Sequence, residues 1–149
     1  MDQNESMQEI VESFRELRKS YYRLLADQAD RSGISVTQYL ALRAIRNQPG
    51  IGMGQLAGAI RLENSTVSGL VDRLAKAGLV ERERREHDRR SIALHLTEMG
   101  REVEHQTKLK INRSLHHVLE LPRHDIDHLL ETHRKIIEII EKVREGNQL

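Results

Sequence analysis

Apolar and polar residues alternate in the segments "LVERERRE" and "SIALHLT", whereas most of the chain repeats its apolar residues at helical spacing. The apolar residues at period-two spacing are Val80, Ile92, Leu94 and Leu96. This alternation predicts two antiparallel strands joined by the polar tip "HDRR".

A long helix and a buried helix are predicted first in the chain. The long helix covers 7–32, where apolar residues recur at helical spacing and Gly33 follows the end. Ser35 and Gln38 fit a capping box that opens the second helix. That helix is apolar over most of its circumference and ends before the turn pair at 49–50, so we expect it to be buried.

A helix-turn-helix follows at about 53–77. Its first helix is short, and either Asn64 or Ser65 is expected to serve as the N-cap of the second helix. The apolar residues of the second helix that should face inward are Val67, Leu70, Val71 and Leu74. Together with a wing at about 79–96, these elements predict a winged helix-turn-helix core over 35–97.

Long helices flank this core on both sides. Thr97 is predicted to cap a helix that runs to about Glu120, and Pro122 to open a last helix that runs to about Arg144. The segments 7–32 and 98–145 carry more apolar surface than one subunit can cover, which predicts dimerisation helices. The predicted fold class is mainly α with a small β-wing: a winged helix-turn-helix flanked by long N- and C-terminal dimerisation helices, in one domain of 1–149.

Charge is distributed unevenly along the chain, although the formal net charge of its 149 residues is only +1. Residues 31–90 contain eleven Lys and Arg against six Asp and Glu, whereas the flanks contain thirteen against seventeen. A basic centre between acidic arms indicates a polyanionic partner for the centre. A merely solvated charged surface is the alternative.

Composition limits the other functions. The chain has no cysteine, which excludes disulfides, thiolate metal sites and thiol redox switches within these residues. The first ten residues are polar and acidic, unlike a signal peptide, and no apolar run has the length of a membrane span, so we expect a cytoplasmic protein. No nucleophile elbow or phosphate loop is found in the sequence, so neither an enzymatic activity nor a cofactor is predicted.

Short polar side chains open the second helix of the helix-turn-helix, which in this motif enters the DNA major groove and contacts base edges near its N-terminus. Ser65, Thr66 and Ser68 lie opposite the apolar stripe, so they are candidates for that contact. An ordinary helix start has similar residues. The hairpin that follows favours DNA binding, because it contains five arginines: Arg82, Arg84, Arg85, Arg89 and Arg90.

The segment "LENSTVSGLVDRLAKAGLVERERREHDRRSIALHLTEMG" resembles the core of the MarR family of bacterial transcription regulators. The D-x-R of Asp88 to Arg90 and the LT-x-x-G of Leu96 to Gly100 carry the likeness, which extends over nearly the whole chain. It implies a dimeric winged-helix repressor or activator in which the first and the last two helices form the dimer interface. Gly69 departs from the family pattern, since many members have a polar or basic residue there.

The residues predicted to bind DNA are Ser65, Thr66, Ser68, Arg73, Arg82, Arg84, Asp88, Arg89 and Arg90. The resemblance implies that Arg90 enters the minor groove. It also points to Arg82 as the strand arginine that donates hydrogen bonds to Asp88 and so braces the loop. Arg84, Arg85 and Arg89 are assigned to flanking phosphates, and a solvated charged loop is the alternative.

Two further sites are considered. Family members often bind small aromatic or phenolic ligands between the wing domain and the dimer helices, and the candidates for such a cleft are Tyr21, Tyr22, Tyr39 and Arg43. Buried core tyrosines are the favoured interpretation. His124 and His128 have the i, i+4 spacing that can chelate a metal, but a solvated, acidic helix face is favoured and no metal site is predicted.

The sequence therefore predicts a homodimeric, sequence-specific regulator of transcription that binds double-stranded DNA. We expect a ligand-responsive repressor of an inverted-repeat operator. A winged-helix protein-interaction module and a zinc-responsive regulator of the same fold are the alternatives.

Overall fold

The computed structural model describes residues 2–146, apart from the side chains of Arg89 and Arg90. The α-helices of this part are α1 (Gln3–Asp30), α2 (Val36–Asn47), α3 (Met53–Ile60), α4 (Asn64–Lys76), α5 (Glu98–Leu115) and α6 (Arg123–Gly146). The strands are β1 (Ile51–Gly52), β2 (Val80–Arg85) and β3 (Asp88–Leu96). The chain divides into two compact units, Met1–Ile111 and Asn112–Leu149. The predicted fold class, mainly α with a small β-wing, is confirmed.

Capping boxes open the first two helices. The α1 helix begins at Gln3 rather than at the predicted residue 7, because Asp2 and Glu5 satisfy the first-turn amides. In the predicted capping box of α2, the amide of Gln38 donates to the Ser35 hydroxyl at 3.1 Å. The amide of Ser35 in turn donates to the Gln38 side-chain oxygen at 2.8 Å, so this prediction is confirmed.

Residues 61–63 form the tight turn between α3 and α4. Arg61 ends α3 in the left-handed conformation (φ 56°, ψ 47°), and α4 already begins at Asn64. The N-cap is the extended Glu63, whose side chain makes no capping hydrogen bond. The prediction that Asn64 or Ser65 is the N-cap is therefore wrong. Because the left-handed Arg61 reverses the chain, α4 begins early enough to include both residues.

The two predicted antiparallel strands are confirmed as β2 and β3, and β1 adds a third strand, which gives a sheet in the order β1-β3-β2. Ile51 pairs with Leu94 and Gly52 with Ala93, which adds β1 to the far edge of β3. A strand of two residues is too short to produce a period-two pattern, so the sequence gives no sign of it. On the other side, β2 pairs antiparallel with β3 from Val80↔Leu96 to the tip, with an irregularity between Arg84 and Arg85.

The core of the winged helix lies between α2, α3, α4 and the base of the wing. The buried apolar residues at its centre are Leu42, Ile45, Ile51, Leu56, Val67, Leu70, Val71, Leu74, Val80 and Leu94. The predicted inward stripe of α4 is confirmed, since all four of its residues are at most 2% exposed. This packing fixes α4 and leaves its opposite face in solvent.

The start of α5 is fastened to the base of the wing. The hydroxyl of Thr97 donates to the carbonyl of Gly78 at 2.6 Å and accepts from the amide of Gly100 at 2.9 Å, which confirms its predicted capping role. The amide of Thr97 donates to the carbonyl of Leu79. A Cβ atom built on Gly100 would lie 2.0 Å from that same carbonyl oxygen, so no other residue fits here without a backbone shift.

The second unit contains the end of α5 and the whole of α6. The α-helix of α5 stops at Leu115 and tightens into a 3₁₀ helix over His116–Glu120, so the prediction of one continuous helix to Glu120 is wrong in its last turn. Pro122 precedes α6 as predicted. Among the helices of residues 2–146, none combines the length and apolarity needed to cross a membrane.

Candidate nucleic-acid interface

The solvent face of α4 begins with short polar side chains. Ser65, Thr66 and Ser68 are exposed, and Val67 between them is fully buried. The burial of Val67 fixes the rotation of the helix, because side chains three and four residues apart share a helix face. Asp72 and Arg73, two turns further along, are also exposed. The predicted α4 residues therefore lie together on a surface that can approach a nucleic acid.

The wing extends this surface as an exposed, charged hairpin. Within β2 only Val80 is buried, and the five residues that follow it are exposed. Arg84 lies opposite Ile92, and Arg85 lies opposite Asp88 at the tip. The predicted roles of Arg89 and Arg90 fall on side chains outside the described residues.

Arg82 has a different partner from the one that we expected. Its guanidinium forms an ion pair with the carboxylate of Asp72, which lies on α4. In the sheet Arg82 is opposite Leu94, whereas Asp88 is opposite Arg85 at the tip, three residues further along β2. Three strand residues span roughly 10 Å, so the predicted Arg82–Asp88 brace is replaced by a contact between the wing and the helix.

Arg85 also makes an internal contact. Its guanidinium donates a hydrogen bond of 2.9 Å to the carbonyl of Gly50, which lies in the turn before β1. Glu83, on the same strand, is 3.1 Å from the imidazole of His95 on β3. Two of the five wing arginines thus hold the wing to other elements, which leaves Arg84 as the described arginine of β2 without such a contact.

A cleft in the first unit contains three of the four residues predicted to bind an effector. Tyr21, Tyr22 and Arg43 line this cavity of about 1130 Å³, but Tyr39 does not. The favoured interpretation of buried tyrosines is right for Tyr39, at 2% exposure, and wrong for Tyr21 and Tyr22, at 41% and 45%. The basic residues of the lining are Arg15, Arg18, Lys19, Arg23, Arg43 and Arg61. No acidic residue is among the described lining residues, so the cavity favours an anion.

Tyr39 contacts Arg43, one of the residues that line this cleft. The Arg43 guanidinium carbon is 5.8 Å from the centroid of the Tyr39 ring, within the range of a cation–π contact. Burial raises the pKa of the Tyr39 phenol above its ordinary value of 10.0, although the charge of Arg43 opposes this rise. The phenol therefore stays neutral at physiological pH.

Two of the five histidines of the second unit pair with carboxylates. His117 lies 2.6 Å from Glu120, and His124 lies 3.0 Å from Asp125. Within residues 2–146, no three His, Asp or Glu side chains form a group that could hold a metal ion.

Asp72 is the residue of this surface that sequence reasoning missed. It follows Ser65 and Ser68 at helical spacing and is an acidic residue on a face otherwise suited to DNA. An acid in such a place is a usable signal, since it suggests a cationic partner nearby in the fold.

A helix-turn-helix whose second helix exposes short polar residues, followed by a wing, defines the winged helix-turn-helix class. Residues 34–92 match the model of the MarR family. This part of the chain is therefore similar to the MarR family, and the predicted resemblance is confirmed.

Known proteins similar to this chain include one curated regulator and two solved structures. The organic hydroperoxide resistance transcriptional regulator of Bacillus subtilis is 32% identical over 91 residues, which are 61% of this chain and 59% of the regulator. A MarR family protein from Bacillus stearothermophilus has a TM-score of 0.84 at 24% identity, covering 95% of this chain and 99% of that one. A mutant MarR from E. coli, complexed with operator DNA, has a TM-score of 0.72 at 22% identity, covering 91% and 99%.

Proposed function

We propose that this protein is a sequence-specific DNA-binding regulator of transcription, and more specifically a ligand-responsive repressor. The observation that carries the proposal is the exposed polar face of α4 beside the arginine-bearing wing. The MarR-family match over 34–92 supports it, and so does the shared fold with a MarR solved on operator DNA. In this mechanism α4 enters the major groove while the wing reaches the adjacent minor groove.

Each side chain of the interface has a distinct role in this mechanism. Ser65 lies in the first turn of α4, where free amides and the helix dipole attract an anion, so it contacts a phosphate. Thr66 and Ser68 contact base edges. Arg84, Arg89 and Arg73 bind flanking phosphates, and Arg90 enters a narrow, A·T-rich minor groove, where the negative potential is enhanced.

A homodimer is the second element of the proposal. The large apolar residues exposed on α1 are Met7, Ile10, Val11, Phe14, Leu17, Tyr21 and Tyr22. Those exposed on α6 are Leu129, Leu130, Ile137, Ile139, Ile140 and Val143. Continuous apolar faces of this kind are rarely left in water, so a second copy covers them. Two α4 helices related by a twofold axis then read an inverted repeat with half-sites about one helical turn apart.

The effector of the proposed repressor is a small aromatic anion bound in the cleft of the first unit. Tyr21 and Tyr22 offer aromatic surface, the cationic rim offers charge complementarity, and Ile51 and Ile60 supply apolar contact. The wall of the cleft includes Arg61, the residue that immediately precedes the turn into α4. A ligand here acts on the element that positions the reading helix.

Selection of bound sequences from a random DNA pool tests this function. We expect an inverted repeat to be enriched, and selected sequences without dyad symmetry would contradict the dimeric mechanism. Thr66→Ala and Ser68→Ala should each reduce discrimination between the selected operator and scrambled DNA by about 1–3 kcal/mol, as expected for a good base contact. Ser13→Ala, on the exposed surface of α1, is the matched control. A loss of affinity that is equal on both DNAs would show that these residues do not read bases.

The main competing function is a winged helix that binds another protein. The two are distinguished by salt, because each phosphate contact contributes about −0.9 to the slope of log K against log salt concentration. A shallow slope for the selected DNA would favour the protein-interaction module.

A further inference from the structure

An ion pair joins the two elements that, in the proposed function, contact DNA at the same time. Asp72 belongs to α4 and Arg82 to β2, and their side chains are 54% and 37% exposed. A carboxylate on a surface that approaches phosphates weakens DNA attraction by its charge alone. Its presence on the exposed face of α4 therefore calls for a role that outweighs this effect.

The wing has little other attachment to α4 beyond its base. Val80 is buried in the core, but every later residue of β2 is exposed, so apolar packing ends where the wing begins. Arg82 is the second residue past that point, and its contact with Asp72 brings the exposed part of β2 back to the helix. A guanidinium–carboxylate pair fixes direction as well as distance, because the donor group is planar.

We infer that Asp72 is a positioning residue for DNA readout: through Arg82 it sets the orientation of the wing relative to α4. This inference rests on the proposed function and assigns Arg82 to an ion pair within the protein instead of to a phosphate. If the ion pair fixes the orientation of the wing, α4 and the wing can contact adjacent DNA grooves at the same time. The pair therefore contributes to the discrimination between DNA sequences more than to general affinity.

Two variants separate the effect of charge on overall affinity from the effect of wing position on sequence discrimination. Asp72→Asn makes the protein more positive and Arg82→Gln makes it less positive, so charge alone predicts tighter and weaker DNA binding respectively. The positioning role predicts that both variants lower the ratio of operator affinity to scrambled-DNA affinity. The expected reduction is roughly fivefold, which corresponds to the upper end of what a partly exposed ion pair contributes.

The experiment measures this ratio at one fixed salt concentration, using the operator selected by the wild-type protein. Glu81→Gln is the matched control, because it changes the same charge on the neighbouring residue, and none of the described ion pairs involves Glu81. It should tighten binding to both DNAs and leave the ratio unchanged. The double variant Asp72→Arg with Arg82→Asp keeps the wild-type net charge and can rebuild the pair, so its ratio should recover toward the wild-type value.

An unchanged ratio for Asp72→Asn, in a protein that discriminates its operator, would overturn the positioning role and leave the proposed function intact. A wild-type protein with no preference for any sequence would overturn both. Thermal unfolding of each variant should stay close to that of the wild type, because an exposed pair contributes little to global stability. A ratio that falls only in proportion to a loss of stability would contradict the inference.

Discussion

Gly100 has no side chain because the first turn of α5 lies directly against the backbone at Leu79. A Cβ at this position would be 2.0 Å from the Leu79 carbonyl oxygen and 2.9 Å from its carbonyl carbon. Since both are backbone atoms, no rotamer change can relieve the overlap. Gly100→Ala should lower the free energy of unfolding by about 3 kcal/mol, the upper end for an overpacked site. Chemical denaturation followed by circular dichroism measures this loss.

Gly69 provides the control of opposite sign. It lies within α4, and a Cβ there would meet nothing within 4 Å. Gly69→Ala should therefore raise the free energy of unfolding by about 1 kcal/mol, the difference in helix propensity. Equal effects of the two substitutions would show that the α5 junction is looser than described.

Ionisation of the buried Tyr39 phenol should lower the free energy of unfolding at alkaline pH. Burial raises the phenol pKa in the folded state above the ordinary 10.0, so the folded state holds this proton more tightly than the unfolded state. The contribution is present in full below pH 10.0 and is lost as the pH rises through the folded pKa. Denaturation from pH 8 to pH 11 should show a steeper decline for the wild type than for Tyr39→Phe. Identical declines would mean that the buried phenol does not contribute.

At the scale of elements, the wing arginines divide into those with internal contacts and those available to DNA. Arg84→Ala should reduce the slope of log K against log salt concentration by about 0.9 for each phosphate that the arginine side chain neutralises. Arg85→Ala should change this slope less, because its guanidinium already donates to the Gly50 carbonyl. Titrations at several salt concentrations compare the two variants. A larger slope change for Arg85→Ala would assign that residue to the DNA.

The helices of this protein follow from its sequence more fully than its contacts do. The capping box at Ser35 and the inward stripe of α4 depend on neighbours along the chain, which a sequence displays directly. The partner of Arg82 depends on which residue of β2 lies beside α4, and this is decided by packing in the folded protein. The same reason explains the missed β1, since Ile51 becomes a strand residue only through its pairing with Leu94.

At the scale of the whole molecule, the exposed apolar face of α6 predicts dependence on a second copy. On one side of this helix, apolar residues recur at spacings of three, four and seven, as in helices that pack along a seam: Ile126, Leu129, Ile136, Ile140 and Val143. Ile140→Lys should convert the dimer to a monomer in sedimentation and weaken operator binding. Glu138→Lys introduces the same side chain on the opposite side of α6 and should leave the dimer intact. A dimer that survives Ile140→Lys, or removal of the chain from Arg123 onward, would contradict the proposed interface.

The hydrogen bonds at Thr97 also couple the start of α5 to the base of the wing. The hydroxyl and the amide of Thr97 donate to the carbonyls of Gly78 and Leu79, which precede β2. Arg101 of α5 donates to the carbonyl of Leu96, the last residue of β3, at 3.0 Å. The backbone of Gly100 packs directly against that of Leu79, so the start of α5 is in contact with the residue before β2. The first turns of α5 and the base of the wing are therefore expected to move together. A tilt of α5 is therefore expected to displace the tip of the wing, which is the part of the hairpin farthest from this junction.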